Sequence, residues 1–193
     1  MLKFKDLIEF IKADLFRYEK QIGFTNFIKV LIKSPGFKYT FYLRTTNYYK
    51  DKNGISRVLF FLALLFLRKY RYKFGIDIPY STKIGKGLYI GHFGGIVVNS
   101  DVIIGENCNL SHGVTIGQVN RGKKRGSPTI GNEVYIAPGA KIIGKINIGD
   151  NVVIGTNSVI NLDVPNKSVI VGIPGKIVSS KGSAGYVENI YLN

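Results

Sequence analysis

The sequence predicts a mainly β protein in which a parallel β-solenoid with three-sided coils follows an α-helical amino-terminal region. The first observation is a six-residue register of apolar side chains: Ile84, Ile90, Ile96, Val102, Cys108 and Val114, then, after one break, Ile130, Ile136, Ile142, Ile148, Ile154 and Ile160. A period of six fits neither the 3.6-residue turn of a helix nor the two-residue repeat of a strand, so it marks short straight faces joined by corners. Three faces make a coil of roughly eighteen residues, and one inward aliphatic per face stacks on its equivalent in the next coil, roughly 4.8 Å away. The second observation is helical spacing of the apolar residues that precede the register. The third is the break itself, a polar segment that cannot follow the repeat.

Taken in order, Leu7, Ile8, Ile11, Leu15 and Phe16 predict one helix, and Phe24, Phe27, Ile28 and Leu31 a second. Ser34-Pro35-Gly36 is expected to stop the second, the aromatic stretch Phe37 to Tyr49 to form a third, and Lys50-Asp51-Lys52-Asn53-Gly54 to be an exposed turn. The run Val58 to Leu67 is apolar on every side, yet too short for a bilayer span of about 20 residues. It reads either as a buried helix covering the prism end or a subunit contact, or as a helix at a membrane surface. In the second reading Arg68, Lys69, Arg71 and Lys73 lie over anionic headgroups, giving a peripheral contact through residues 58–73.

Gly75 to Pro79 marks the junction with the solenoid, so residues 1–76 read as a basic helical region and 77–178 as the β domain. Val114 and Ile130 are 16 residues apart, which extrudes a loop over residues 118–128. Its glycines and Arg121, Lys123, Lys124 and Arg125 suit a flexible flap over an anionic ligand, or a merely solvated loop. Residues 179–193 read as a polar surface tail.

A hydrophobic share of 45% is that of an ordinary globular chain, so a real core can form. The single cysteine, Cys108, excludes an intrachain disulfide and a cysteine metal cluster, and its inward slot suits packing better than reactivity. The beginning Met1-Leu2-Lys3-Phe4-Lys5-Asp6 is not that of a signal peptide, so a cytoplasmic protein is expected, with the inner face of the membrane as its other address. The formal net charge of +15 is concentrated in residues 1–76, which hold 16 Lys and Arg against 5 Asp and Glu. Charge alone suggests nucleic acid, but no recognition motif supports it, and none is expected to bind.

Candidate chemistry rests on the only two histidines, His92 and His112. The repeat places them on neighbouring strands of one face, and Gly91, Gly94 and Gly95 beside His92 permit close approach of a ligand. Imidazole titrates near neutrality and can take a proton from a hydroxyl, with Asp77 at the start of the prism a candidate to fix its tautomer. No P-loop, nucleophile-base motif or zinc ligand set is present in the sequence, and no metal is expected.

These residues, with Asp77-Ile78-Pro79, Gly91-His92-Phe93-Gly94-Gly95-Ile96-Val97-Val98 and Val171-Gly172-Ile173-Pro174-Gly175-Lys176, resemble the hexapeptide-repeat acyltransferases over residues 75–180. The pattern is similar to the serine O-acetyltransferase branch and to the capsule and colanic acid polysaccharide O-acetyltransferases related to it. The resemblance implies a left-handed parallel β-helix and a homotrimer with acetyl-CoA bound between adjacent prisms. It implies His92 as general base and Asp77 as its partner, the acceptor oxygen attacking the thioester carbonyl and the thiol leaving. His112, in Ser111-His112-Gly113-Val114-Thr115-Ile116-Gly117, would orient the acceptor. Ala137, Pro138, Thr156 and Asn161 would contact the cofactor, and Lys176 a coenzyme phosphate.

Two departures bear on the acceptor. Serine acetyltransferases carry an aspartate where this chain has Gly91, and an Arg-His pair where it has Gly126-Ser127 before Pro128. Loss of these charged anchors favours a sugar hydroxyl, so the expectation is an acetyl-CoA-dependent O-acetyltransferase acting on a saccharide acceptor in surface polysaccharide biosynthesis, nucleotide-linked or lipid-linked. The alternatives are serine O-acetyltransferase of cysteine biosynthesis and a non-catalytic scaffold.

Overall fold

The computed structural model describes residues 2–192, so Met1 and Asn193, which end the first and last predicted regions, lie outside it. Four helices come first: α1 (Phe4–Glu19), α2 (Phe24–Lys33), α3 (Pro35–Tyr49) and α4 (Ile55–Phe74). Asp6 starts α1 by accepting the Lys3 N–H at 2.7 Å, and Gly75 ends α4 in a left-handed conformation, φ 60°. Pro35 does not simply stop α2. With its φ preset and no N–H to lose, it occupies the first turn of α3, so one helix ends and another begins within a residue.

Fourteen short strands follow and stack into three sheets. The first contains β1 (Ile76–Asp77), β3 (Ile96–Val98), β6 (Thr115–Gly117), β9 (Lys141–Ile143) and β12 (Val159–Ile160). The second contains β2 (Lys83–Ile84), β4 (Ile103–Ile104), β7 (Thr129–Ile130) and β10 (Asn147–Ile148). The third contains β5 (Asn109–Leu110), β8 (Tyr135–Ile136), β11 (Val153–Ile154), β13 (Val169–Val171) and β14 (Lys176–Ser179). Each strand ladder is parallel except the last, in which β14 turns back antiparallel on β13.

All twelve residues of the six-residue register are buried, but they do not form one column per face. Ile84 pairs with Ile104 rather than Val102, and Ile76 with Ile96, a coil of 20 residues. Val97 then pairs with Thr115, a separation of 18. The two extra residues fall in the corner that holds His92, and there the register jumps from one inward position to another. Each face can supply two such positions because side chains alternate along a strand: Ile96 and Val98 are buried around exposed Val97. The single inward residue expected per face is thereby corrected to two.

A solenoid end exposes unpaired backbone, and the helices cover it. The Arg44 guanidinium on α3 donates to the carbonyls of Ile84 at 2.7 Å and Gly85 at 2.6 Å, while its Nε bonds Asp14 of α1 at 3.0 Å. Arg17 donates to the Gly87 carbonyl, and the Tyr18 hydroxyl to that of Ile90. These buried polar groups satisfy the first coil as another coil would.

Two expectations fail here. The apolar run is not buried within the chain, which leaves a subunit contact or a membrane surface as its readings: in α4 only Ala63, Leu67 and Phe74 are buried. The tail is more than a surface segment, since Val187 is buried, Tyr186 packs on Tyr135, and the Asn189 amide donates to the Arg17 carbonyl. It ties the prism flank to α1, giving its polar residues partners that composition does not reveal.

Candidate functional site

The corner carrying His92 is one of a stacked column. Gly75, Gly95, Gly113, Gly139 and Asn157 all have φ between 55° and 74°, a region that L side chains rarely adopt and glycine enters freely. Backbone bonds join the column: Gly113 N–H to Gly94 O at 2.8 Å, Gly139 N–H to His112 O at 3.0 Å, and Asn157 N–H to Pro138 O at 2.9 Å. His112, Pro138 and Thr156 each precede a column residue, so they lie in successive coils along one edge of the prism. The six-residue pattern contains this alignment, although no single motif announces it.

His92 and His112 are both exposed, and their rings stand nearly perpendicular at 84° with centroids 6.1 Å apart. The extra residues around His92 push it out of the wall while β3 and β6 stay paired. The Lys141 ammonium on β9, half-buried, donates to the Gly113 carbonyl at 2.5 Å and to the Thr115 hydroxyl at 3.1 Å, placing a cation beside the His112 corner. Sequence reasoning missed Lys141. Its slot before inward Ile142 marks it only as outward-facing.

Asp77 lies on β1, but its carboxylate bonds the Arg71 guanidinium at 2.5 Å. Among the described residues that is its side-chain partner, and no bond joins it to His92. The structure therefore brings the two histidines together and leaves Asp77 held by α4. Arg71 was legible only as part of a basic cluster.

At the opposite edge of this face the segment after Gly117 leaves the prism. It is a small hairpin rather than a free flap, closed by Val119 N–H to Gly126 O at 3.0 Å and the reciprocal bond at 2.9 Å. The Lys145 N–H bonds the Lys124 carbonyl at 2.9 Å, and Lys124 Nζ donates to the Asn161 carbonyl, so the hairpin is fixed to later coils.

The expected cofactor residues fall into two groups. Ala137 is buried and its N–H is committed to Ile154 O at 2.9 Å, which leaves little of it to offer. Pro138 and Thr156 share the histidine edge. Asn161 follows β12, and Gly175 N–H bonds Val159 O at 2.9 Å, which brings Lys176 alongside. Exposed Asn161, bonded by Lys124, supplies polar and cationic groups at the hairpin edge that suit a phosphate-bearing ligand, with exposed Lys176 following Gly175 beside β12, whereas exposed Thr156 lies on the histidine edge. Among the described residues no cluster of His, Cys, Asp and Glu could hold a metal.

Residues 127–161 match the bacterial transferase hexapeptide family, six repeats. The chain is 33% identical over 167 residues to a serine acetyltransferase of Synechococcus elongatus, covering 86% of itself and 66% of that relative. The crystal structure of Neisseria gonorrhoeae serine acetyltransferase in complex with serine superimposes with a TM-score of 0.73 at 31% identity, over 91% of this chain and 70% of that one. The chain belongs to the serine acetyltransferase family. A serine acetyltransferase in complex with CoA gives the same TM-score, 0.73, at 28% identity over 91% of this chain and 71% of that one. The fold shared with these serine acetyltransferases is a left-handed parallel β-helix preceded by helices.

This similarity overturns the sugar acceptor expected from Gly91 and Ser127, and with it the capsule branch. The inference failed because two absent side chains do not empty a site of charge. Asp77 on β1, held by Arg71 of α4, and Lys141 on β9 belong to one sheet, with β3 and β6 between them. The chain spans just under two thirds of the cyanobacterial serine acetyltransferase.

Proposed function

We propose that the chain is an acyltransferase that carries acetyl from acetyl-CoA to the hydroxyl of L-serine. The observation that supports it best is the exposed His92 imidazole, set against His112 at 6.1 Å in a glycine-lined corner. His92 takes the proton of the serine hydroxyl as the oxygen attacks, and His112 orients that oxygen. Serine's opposite charges would engage Lys141 at one end and the Arg71–Asp77 pair at the other. Asp77 acts as a partner of His92 only if a bound acceptor draws Arg71 away.

Acetyl-CoA supplies an activated thioester. Pro138, Thr156, Asn161 and Lys176 would hold it, Lys176 and Lys124 meeting phosphate, whereas Ala137 would serve only as wall. The expected assembly is a homotrimer, in which a neighbouring prism forms the other side of the groove.

Thiol release from acetyl-CoA, followed with increasing L-serine, tests the reading. Saturable, serine-dependent release is expected, and its absence in enzyme that binds CoA would overturn serine as acceptor. Unchanged function in a His92→Ala variant would favour the scaffold.

A further inference from the structure

Helix α4 presents an apolar face to solvent. Ile55, Val58, Leu59, Phe61, Leu62 and Leu65 are exposed, Ile55 by 78% and Leu65 by 64%, although helices of folded domains normally turn such a face inward. The opposite side, Ala63, Leu67 and Phe74, already packs on the protein, so the exposed stripe is surplus to the fold. No helix of the described residues is long and apolar enough to cross a membrane.

The charges on this helix point to what covers the stripe. Arg57, Arg68, Lys69, Arg71 and Lys73 are all exposed, and α4 carries no acidic residue. At 100° per residue, Lys69 and Lys73 continue the line of Ile55, Val58, Leu62 and Leu65, while Arg57 and Arg68 lie together on one side of it. Exposed Tyr72 lies on the same side near the basic end. An apolar stripe merging into cations, with an aromatic hydroxyl at the boundary, is complementary to acyl chains below a layer of anionic headgroups. A two-fold pairing of copies through this face would bring these like charges together, which disfavours it.

We infer that α4 docks the protein on an anionic lipid surface, lying in the interface plane with Val58, Leu62 and Leu65 inserted and Lys69 and Lys73 on the headgroups. The helix leads directly into the site, because Phe74 at its end packs on Phe93, next to His92, with ring centroids 5.4 Å apart. Docking would thus hold the catalytic corner close to the membrane. This function is separate from acetyl transfer, and its test does not depend on turnover.

The chain has no tryptophan, so Leu65→Trp places a single fluorescent reporter on the stripe. With vesicles of phosphatidylglycerol and phosphatidylcholine its emission should shift to the blue, and with phosphatidylcholine alone the shift should be weak. Flotation of the unmodified full chain with the same vesicles should fall at least about tenfold in a Leu62→Glu/Leu65→Glu variant. Each of Lys69→Glu and Lys73→Glu should weaken binding roughly fivefold or more. Light scattering and circular dichroism should show unchanged mass and helix content in these variants. The inference is overturned if the unmodified protein does not float with anionic vesicles, if the double variant floats equally well, or if the reporter is already blue-shifted without lipid and the double variant loses mass. The last result would assign the face to contact between copies.

Discussion

The carboxylate of Asp77 on β1 is held by the guanidinium of Arg71, one turn before the end of α4, at 2.5 Å. A residue expected to serve His92 is thus anchored to the helical region, and the pair presents both signs of charge beside the proposed acceptor site. Removing Arg71 should therefore affect acceptor binding more than chemistry. For Arg71→Ala we expect KM for L-serine to rise about tenfold with kcat little changed, measured by steady-state thiol release, as for loss of one charge-assisted contact.

His92→Ala should lower acetyl transfer about a hundredfold or more while CoA affinity, measured by calorimetry, is kept. In the proposed mechanism His112→Ala would remove an orienting group rather than the base. Its loss should be smaller, on the order of tenfold, and separable from His92 in the pH dependence of kcat.

Gly36 tests how closely the helices seat on the prism. A Cβ there would lie 2.0 Å from the Ile90 carbonyl oxygen, a backbone atom that cannot rotate away. Gly36→Ala should therefore destabilise the fold by about 1–3 kcal/mol or more, seen as a lower Tm in thermal unfolding.

Burial raises the Cys108 thiol to about 12 and the Tyr39 phenol to about 12, and raises the Tyr18 phenol as well. The folded chain holds these protons after the unfolded chain has lost them, from ordinary values of 9.0 for the thiol and 10.0 for the phenols. Stability from this source is complete below pH 9 and declines as pH rises toward about 12, which denaturant titrations across that window would measure. At neutral pH Cys108 should resist iodoacetamide until the chain is unfolded.

The prism was legible because its order is local. Ile130 through Ile160 repeat every six residues without interruption, and each inward position is set by a corner a few residues away. The first half is less legible. Ile84 and Val102 share a sequence register but not a column, because Gly91 to Gly95 lengthen one corner by two residues, and a run of equivalent apolar residues conceals such a phase change. The acceptor is hard to read for a related reason: Gly91 and Ser127 show which side chains are absent, not which others stand nearby.

By itself the sequence determined the coil, the break that makes the hairpin, and the two histidines as neighbours, since all follow from periodicity along the chain. Tertiary structure decided the rest. Lys141 beside the His112 corner, the bond of Lys124 to the Asn161 carbonyl and the uncovered face of α4 depend on packing between segments far apart in sequence, and the ion pair Arg71–Asp77, only six residues apart, on how α4 turns into β1. A repeat fixes which way a side chain points, whereas its partners are fixed only when distant elements come together.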